Sequence, residues 1–266
     1  VERPKIPRLS RRLGQHLVTD EGILRRMVEY ARISPSDIVL EIGTGLGNLT
    51  KFLSEKAGKV YTIEMDARLL AIAKENVSSK NVVFIHGDAR KVELPEFTKV
   101  VANLPYKISS DITFKLLEKD FELGVLMYQL EFAKRMIAKP GTPDYGRLSV
   151  NVFCKADVEI LEELPPEVFF PPPAVCSAIV RLRPRPPPFE IANWNLFSRV
   201  VEALFQHRKQ KVRNALIHSS GRLFPSMHKK ELKNFLIRFP NDLLERRVFE
   251  LKPEDFERIA RLLTSP

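Results

Sequence analysis

At 266 residues, 44% of them apolar, the chain is long enough for one large domain and a smaller one, each with its own core, and too apolar to be disordered throughout. The net charge of +10 is unevenly spread: residues 1–180 hold 25 Lys/Arg against 24 Asp/Glu, whereas 181–266 hold 18 against 9, a neutral front part with a basic appendage suited to a nucleic acid. There is no apolar run of about 18 residues, Cys154 and Cys176 are too far apart for a metal or redox motif, and the five histidines form no ligand-spaced set; a membrane span and a catalytic metal are not expected.

Residues 3–12 carry five basic groups and two prolines and read as a basic arm over 1–12. This start lacks the apolar core of a secretion signal. With two separated cysteines, read as buried thiols, it points to a reducing, cytoplasmic setting. Thr19 or Asp20 caps a helix over 21–33, in which Ile23, Leu24, Met27, Val28 and Ala31 form one stripe. Strands and helices then alternate: strand Ile38–Ile42, helix 47–57, strand Lys59–Glu64, helix 67–76, and strands Val82–His86 and Val100–Asn103. Continuous apolar strands between amphipathic segments indicate an α/β fold with a mostly parallel sheet covered on both faces. Ser110–Glu118 reads as a helix, Val125–Leu130 as a strand, and Glu131–Ala138 as a helix stopped by Pro140-Gly141. Val150–Cys154 and Ala178–Leu182 read as the last strands, antiparallel to the rest. The Pro-rich stretch 181–188 reads as a stiff linker from a 1–180 domain to a small all-helical domain over 189–266. In that domain Phe197, Val200, Val201, Leu204 and Phe205 repeat at helical spacing, as do Leu232, Phe235 and Leu236, and then Phe256, Ile259 and Leu262-Leu263.

Gly43-Thr44-Gly45-Leu46-Gly47 directly follows the first apolar strand, and a helix follows it. Such a turn lets the backbone approach a nucleoside, and the helix start offers free N–H groups. The third glycine comes one residue too early for a dinucleotide fingerprint, and no Lys-Ser/Thr follows, which excludes a P-loop. Glu64, ending the next strand, is placed to accept both ribose hydroxyls, and Asp88, after the third strand, to accept an adenine amino group. Alone, Asp88 is as readily a turn residue; three such positions at successive strand ends make one ligand crevice.

Asn103-Leu104-Pro105-Tyr106 ends the next strand. An adenine amino nitrogen is a poor nucleophile because its lone pair is delocalised into the ring. The Asn103 side-chain carbonyl and the Leu104 backbone carbonyl, gripping its N–H bonds, favour the pyramidal form. Pro105 stiffens the turn and Tyr106 offers a stacking face. A sulfonium-borne methyl is already activated, so alignment and electrostatics suffice without a nucleophilic triad. The target base must be flipped out or unpaired, and Phe169, braced by Pro171-Pro172-Pro173, is a candidate second wall.

Together with Leu13-Gly14-Gln15-His16, Gly87-Asp88-Ala89, Val168-Phe169-x-Pro171-x-Pro173-x-Val175-x-Ser177 and Phe205-Gln206-His207-Arg208-Lys209-x-Lys211-x-Arg213-Asn214-x-Leu216, these motifs resemble, in the same order, the KsgA-type small-subunit ribosomal RNA adenine dimethyltransferases. The resemblance implies a Rossmann-like class I methyltransferase sheet, mostly parallel and seven-stranded, with a small helical C-terminal domain. It also implies transfer of methyl groups from S-adenosylmethionine to N6 of two adjacent adenosines near the 3′ end of small-subunit rRNA, by a monomer acting on a partly assembled subunit. By position it places His16 and Val18 at the entrance and methionine end of the cofactor with Gln15 nearby, and Gly43 and Gly45 against the cofactor. Glu64 falls at the ribose and Asp88 at the adenine, Asn103 serves cofactor and target amine alike, and Tyr106 and Phe169 flank the base. The family usually has an aromatic and then Leu after the Gln-x pair; here Leu17 and Val18 follow His16. Arg208, Lys209, Lys211 and Arg213, read as one basic helix face over Phe205–Arg213, are expected to meet RNA phosphate. Rival readings are a large-subunit rRNA methyltransferase, whose usual motif is Asn-Ile-Pro-Tyr, a DNA adenine methyltransferase, and a non-catalytic assembly or transcription factor on the same fold.

Overall fold

The computed structural model describes residues 16–224, 231 and 234–264. The basic arm, the Leu13-Gly14-Gln15 part of the first motif, and Leu232 lie outside them. The chain divides into two compact units, one running through Ala133 and resuming over Asp157–Pro184, the other comprising Lys134–Ala156 and the chain from Arg185 onward. Among the described residues no helix is long and apolar enough to cross a membrane.

In the first unit a short strand β1 (Leu17–Val18) precedes helix α1 (Glu21–Tyr30), whose start is capped by Asp20 accepting from the Gly22 amide at 2.7 Å. Strand β2 (Ile38–Ile42), helix α2 (Asn48–Ser54), strand β3 (Lys59–Glu64), helix α3 (Ala67–Asn76) and strand β4 (Val82–His86) follow. After strand β5 (Lys99–Asn103) come helix α4 (Ser109–Leu116), strand β6 (Leu123–Gln129) and helix α5 (Leu130–Met136). Helix α6 (Arg147–Lys155) leads into strand β7 (Ala156–Leu164), a short strand β8 (Phe169–Phe170) and strand β9 (Ser177–Pro184). The main sheet has seven strands in the order β4-β3-β2-β5-β6-β9-β7. The pairs among β4, β3, β2, β5 and β6 are parallel, and β9 runs antiparallel to β6. The chain starts in the middle at β2, winds outward to β4, then returns to β5 on the other side of β2. That reversal opens a crevice beyond the carboxyl ends of β2 and β5, where ligands of open α/β sheets bind.

The register of these two strands is held from their other end. Lys99, at the start of β5, donates to Asp37 at 2.8 Å and to the Arg32 carbonyl at 2.7 Å. Asp37 also accepts from the Ser34 amide and from the Thr98 hydroxyl. Burial pushes the Asp37 carboxyl up, but the bonds from Lys99, Ser34 and Thr98 outweigh it and bring the group to about 2. Its folded-state pKa lies below the ordinary value of 3.8, so its stabilisation is complete above about pH 4 and is lost as pH falls through about 2. Asp37→Asn leaves Lys99 charged, buried and half-partnered, which costs on the order of 3 kcal/mol at neutral pH. Denaturant melts of both proteins are expected to differ by that amount near pH 7, with the gap closing as pH falls from about 4 towards 2.

Among the described residues the second unit is mainly helical. Besides α6 it contains α7 (Trp194–Phe205), α8 (Val212–His218), a single turn α9 (Ser220–Leu223), α10 (Asn241–Glu245) and α11 (Pro253–Thr264). The stripe Phe197, Val200, Val201 and Leu204 is fully buried with Leu243, Leu244, Phe256 and Ile259.

Four expectations change. Val150–Cys154 is not a strand: it lies within α6, where Val150, Val152 and Cys154 are buried, and the β-strand begins only at Ala156. The buried apolar positions Leu148, Val150, Val152 and Cys154 alternate, which is the period of a strand, so β-branched valines at that spacing hide a helix. That helix packs in the second unit's core with Tyr145, so residues 134–156 do not belong to the first domain. The Pro-rich stretch is a strand as far as Pro184, because its prolines begin only where β9 runs out. Cys154 is buried as expected, but Cys176 is exposed.

Candidate active site

The crevice at the ends of β2, β3, β4 and β5 is lined by His16, Leu17, Gly43, Gly45, Glu64, Met65, Asp88, Arg90, Asn103, Leu104 and Tyr106, with Ile42, Ile63, Leu69, Ala89 and Ile108 supplying apolar walls. Of the site residues expected from sequence, the structure brings together His16, Gly43, Gly45, Glu64, Asp88, Asn103, Leu104 and Tyr106.

Gly43 leaves β2 with φ of +87°, and a Cβ there would stand 3.3 Å from the Asn103 carbonyl oxygen and 3.4 Å from the Pro105 ring. The glycine is what allows the two loops to touch. Behind it, the Gly45 amide donates to one Glu64 carboxylate oxygen at 3.0 Å and the Asp66 amide to the other at 2.9 Å. Both oxygens are thereby aimed by backbone donors and retain further acceptor capacity. Burial raises the Glu64 pKa, against the opposing effect of the Asp66, Gly45 and Met65 amides. Beneath the turn, Thr50 and Thr62 both donate to Glu41 at 2.6 Å, and the Thr44 and Thr62 hydroxyls meet at 2.5 Å. Glu41 is wholly buried and burial pushes it up to about 8. It belongs to the foundation of the turn, not to the crevice lining.

Asp88 is clasped by Arg90, whose Nε and Nη2 lie 3.0 and 2.7 Å from its two oxygens. The Arg90 bond draws the Asp88 carboxyl below its ordinary range despite partial burial. The loop is anchored by Lys115, which donates to the carbonyls of Ala89 at 2.8 Å and Val92 at 2.5 Å. Arg90, Met65 and Lys115 were not expected; only proximity in the fold reveals them.

At the other end of the crevice the Asn103 amide nitrogen donates to the His16 carbonyl at 2.9 Å. A carbonyl can only accept, so this bond fixes which way the amide faces and leaves its oxygen as the acceptor. The His16 ring stacks on Tyr106, with centroids 5.4 Å apart and planes 23° from parallel, and His16 Nδ1 donates to the Pro171 carbonyl at 2.7 Å. The Tyr106 hydroxyl is held by Ser177 at 2.5 Å, and burial raises its pKa.

Two expected residues are elsewhere. In the β1–β8 pair Leu17 faces Phe170 and Val18 faces Phe169. Side chains alternate along a strand and opposed residues share a face. Val18 and Phe169, the latter only 3% exposed, therefore turn together into the core with Met27 and Met127. Neither lines the crevice. Leu17 does, close enough to Gly45 that a Cβ there would meet it at 2.9 Å. A shift of one residue within a two-residue strand exchanges the faces, and the sequence contains no signal for that register.

Residues 7–235 match the model of the family described as ribosomal RNA adenine dimethylase. The chain belongs to that family. Among its relatives, the probable ribosomal RNA small subunit methyltransferase A of Thermococcus gammatolerans is 50% identical over 93% of this chain and 87% of its own length. That of Methanococcoides burtonii is 45% identical over 94% and 91%. Among solved structures, a dimethyladenosine transferase from Plasmodium falciparum superposes with a TM-score of 0.76 at 33% identity, covering 90% of this chain and 94% of that one. The 23S rRNA methyltransferase ErmE gives 0.65 at 28%, covering 94% and 100%. This rRNA adenine dimethylase thus has the class I methyltransferase sheet, and its Gly-rich turn and Asn-Leu-Pro-Tyr segment face each other across one crevice.

The predicted phosphate-facing helix is not one helix. α7 stops at Phe205, residues 206–210 form turns, and Lys211 bridges to Arg247 before α8 begins. The Val248 and Phe249 amides, at the start of a 3-10 turn over Val248–Glu250, donate to the carbonyls of Gln210 and Arg208, so two carbonyls of this stretch are satisfied from outside it. Arg208 lies 5.9 Å from the Phe249 ring centroid and donates to the Thr142 carbonyl. Lys211 and Arg213 share Glu245 at 2.7 and 3.4 Å. Lys209 is exposed.

Proposed function

We propose that the chain dimethylates N6 of two adjacent adenosines near the 3′ end of small-subunit rRNA, with S-adenosylmethionine as methyl donor, acting as a monomer in the cytoplasm on a partly assembled subunit. The observation that carries this reading is the Asn103 amide pinned through its nitrogen to His16, whose ring stacks on Tyr106, in the crevice that Leu104 also lines. The crevice suits a nucleoside sulfonium: Glu64 has acceptor capacity for ribose hydroxyls, Asp88 for an amino group, and the apolar walls suit a purine. The cofactor supplies an activated methyl carbon. Asn103 and Leu104 hold the target amine by its two hydrogens and turn its lone pair outward. Tyr106, braced by Ser177, supports the unpaired base, and no residue need act as a nucleophile. In each transfer the amine nitrogen would take the methyl as the S–CH3 bond breaks to leave a neutral thioether, and would shed one proton to water. After the first, one N–H remains for a single acceptor, so the second methylation relies more heavily on stacking.

The deciding experiment incubates the protein and radiolabelled S-adenosylmethionine with unmodified small subunits and, in parallel, large subunits, then maps the labelled bases. Label on neighbouring adenosines near the small-subunit 3′ end supports the assignment; label confined to large-subunit rRNA transfers it to the reaction named for ErmE.

For the basic turn, Lys209 and Lys211, the two exposed lysines, are the cations assigned to phosphate, Lys211 by exchanging its ion pair with Glu245. Replacing both lysines by Ala is expected to weaken RNA binding and to reduce the slope of log affinity against log salt by roughly 1.5, from about 0.7–0.9 per phosphate contact. An unaltered slope in fluorescence anisotropy moves the RNA surface elsewhere.

A further inference from the structure

Two of the exposed large apolar side chains of the second unit are aromatic, and each has a cation over its ring. Phe153, on α6, is 40% exposed and Trp194, the first residue of α7, is 37% exposed. The Arg185 guanidinium lies 5.5 Å from the Phe153 ring centroid, and the Lys155 ammonium 5.3 Å from that of Trp194. The cluster is braced from within. Arg185 donates through Nη2 to the Phe153 carbonyl at 2.9 Å, and its amide donates to the Lys155 carbonyl at 2.9 Å. Trp194 leans edge-on against the buried Phe197, with centroids 5.8 Å apart, and Asn193 caps the helix by accepting from Leu196. Arg185, bonded to the carbonyls of both Phe153 and Lys155, thus links the two ring–cation pairs.

Folding alone does not require this arrangement. The apolar side of α7 is already filled by Phe197, Val200, Val201 and Leu204, and α6 buries Val150, Val152 and Cys154. Flat rings flanked by cations are instead what an unpaired nucleotide needs: the base stacks on a ring or a guanidinium plane, and the phosphate meets the charge. The cation–π contacts hold both cations at the rings when no RNA is bound.

We propose that Phe153, Lys155, Arg185 and Trp194 form a stacking platform for unpaired nucleotides of the RNA substrate, separate from the methyl-transfer crevice and from the basic turn at 206–211. This rests on the rRNA reading above and adds to it a second, sequence-tolerant contact. It also predicts that the protein engages single-stranded rRNA beyond the adenosines it modifies.

Trp194 is the chain's single tryptophan, so its emission reports this surface alone. The full-length protein is titrated with a short unstructured RNA of mixed sequence and with a duplex of the same length, at low and high salt. Saturable quenching is expected with the single strand, weaker with the duplex. Phe153→Ala and Trp194→Ala are each expected to lower affinity for the single strand by roughly five-fold or more, the lower end for loss of a stacked base, with cofactor affinity unchanged. Phe153→Leu, which keeps an apolar group of similar bulk but no ring, should bind as weakly as Phe153→Ala, guarding against a fold defect. Unquenched emission at saturating RNA, equal quenching by the duplex, or wild-type affinity in the variants overturns the platform. If small subunits are methylated normally while emission stays constant, the platform fails and the rRNA assignment stands. If no adenosine is labelled, the rRNA assignment itself fails.

Discussion

Asn103→Ala is expected to lower turnover by about two to three orders of magnitude, the loss typical of one transition-state hydrogen-bond partner, while leaving cofactor affinity within a few-fold. The structure sharpens this beyond a simple deletion. The Asn103 amide donates to the His16 carbonyl at 2.9 Å, and in the proposed role its oxygen is the acceptor for the target amine. Asn103→Asp keeps the shape but has no N–H to give, and so sets a carboxylate oxygen against the His16 carbonyl. It should therefore be impaired as severely as Ala, although it retains an acceptor. Single-turnover methylation of unmodified small subunits, with calorimetry for the cofactor, separates the two effects. An Asp variant with near-normal turnover would show that only the acceptor matters and that the His16 bond is incidental.

How far the sequence reaches depends on which period a segment displays. β3, at Lys59–Glu64, and β4, at Val82–His86, were legible to the residue because continuous apolar runs were bounded by clear breaks. The crevice was legible for the same reason: Gly43, Glu64, Asp88 and Asn103 all stand at or just beyond strand ends, and a parallel sheet brings such ends together. Short segments were not. Val150–Cys154 has the β-branched residues of a strand, yet it belongs to a helix whose reference points, Leu148 and the core around Phe197, are distant in sequence. Val18 and Phe169 depend on the pairing of two two-residue strands some 150 residues apart, a tertiary fact with no local trace. The turn after Phe205 is likewise set from outside, by the carbonyls of Arg208 and Gln210 meeting Phe249 and Val248. Sidedness, more than element type, is what remained hidden.

Glu64 should fail first in cofactor binding. Each of its oxygens already accepts from a backbone amide, Gly45 at 3.0 Å and Asp66 at 2.9 Å, before any ribose hydroxyl is added. Glu64→Ala removes the proposed ribose acceptor and at the same time strands two N–H groups of the loops that shape the crevice. Hydrogen bonds to a charged group contribute about 1.5–3 kcal/mol, so cofactor affinity is expected to drop by roughly ten-fold to a hundred-fold. Glu64→Gln is the more telling variant. Its amide nitrogen must face either the Gly45 or the Asp66 N–H, donor against donor, so the isosteric change should lose nearly as much affinity as the truncation. Turnover at saturating cofactor should fall much less in both, because neither touches the Asn103–Leu104 clasp. Calorimetric titration with S-adenosylmethionine and its demethylated product checks the ordering. Wild-type affinity in the Gln variant would mean that the carboxylate's charge is not what the ribose and the two loops require, and would remove Glu64 from the site.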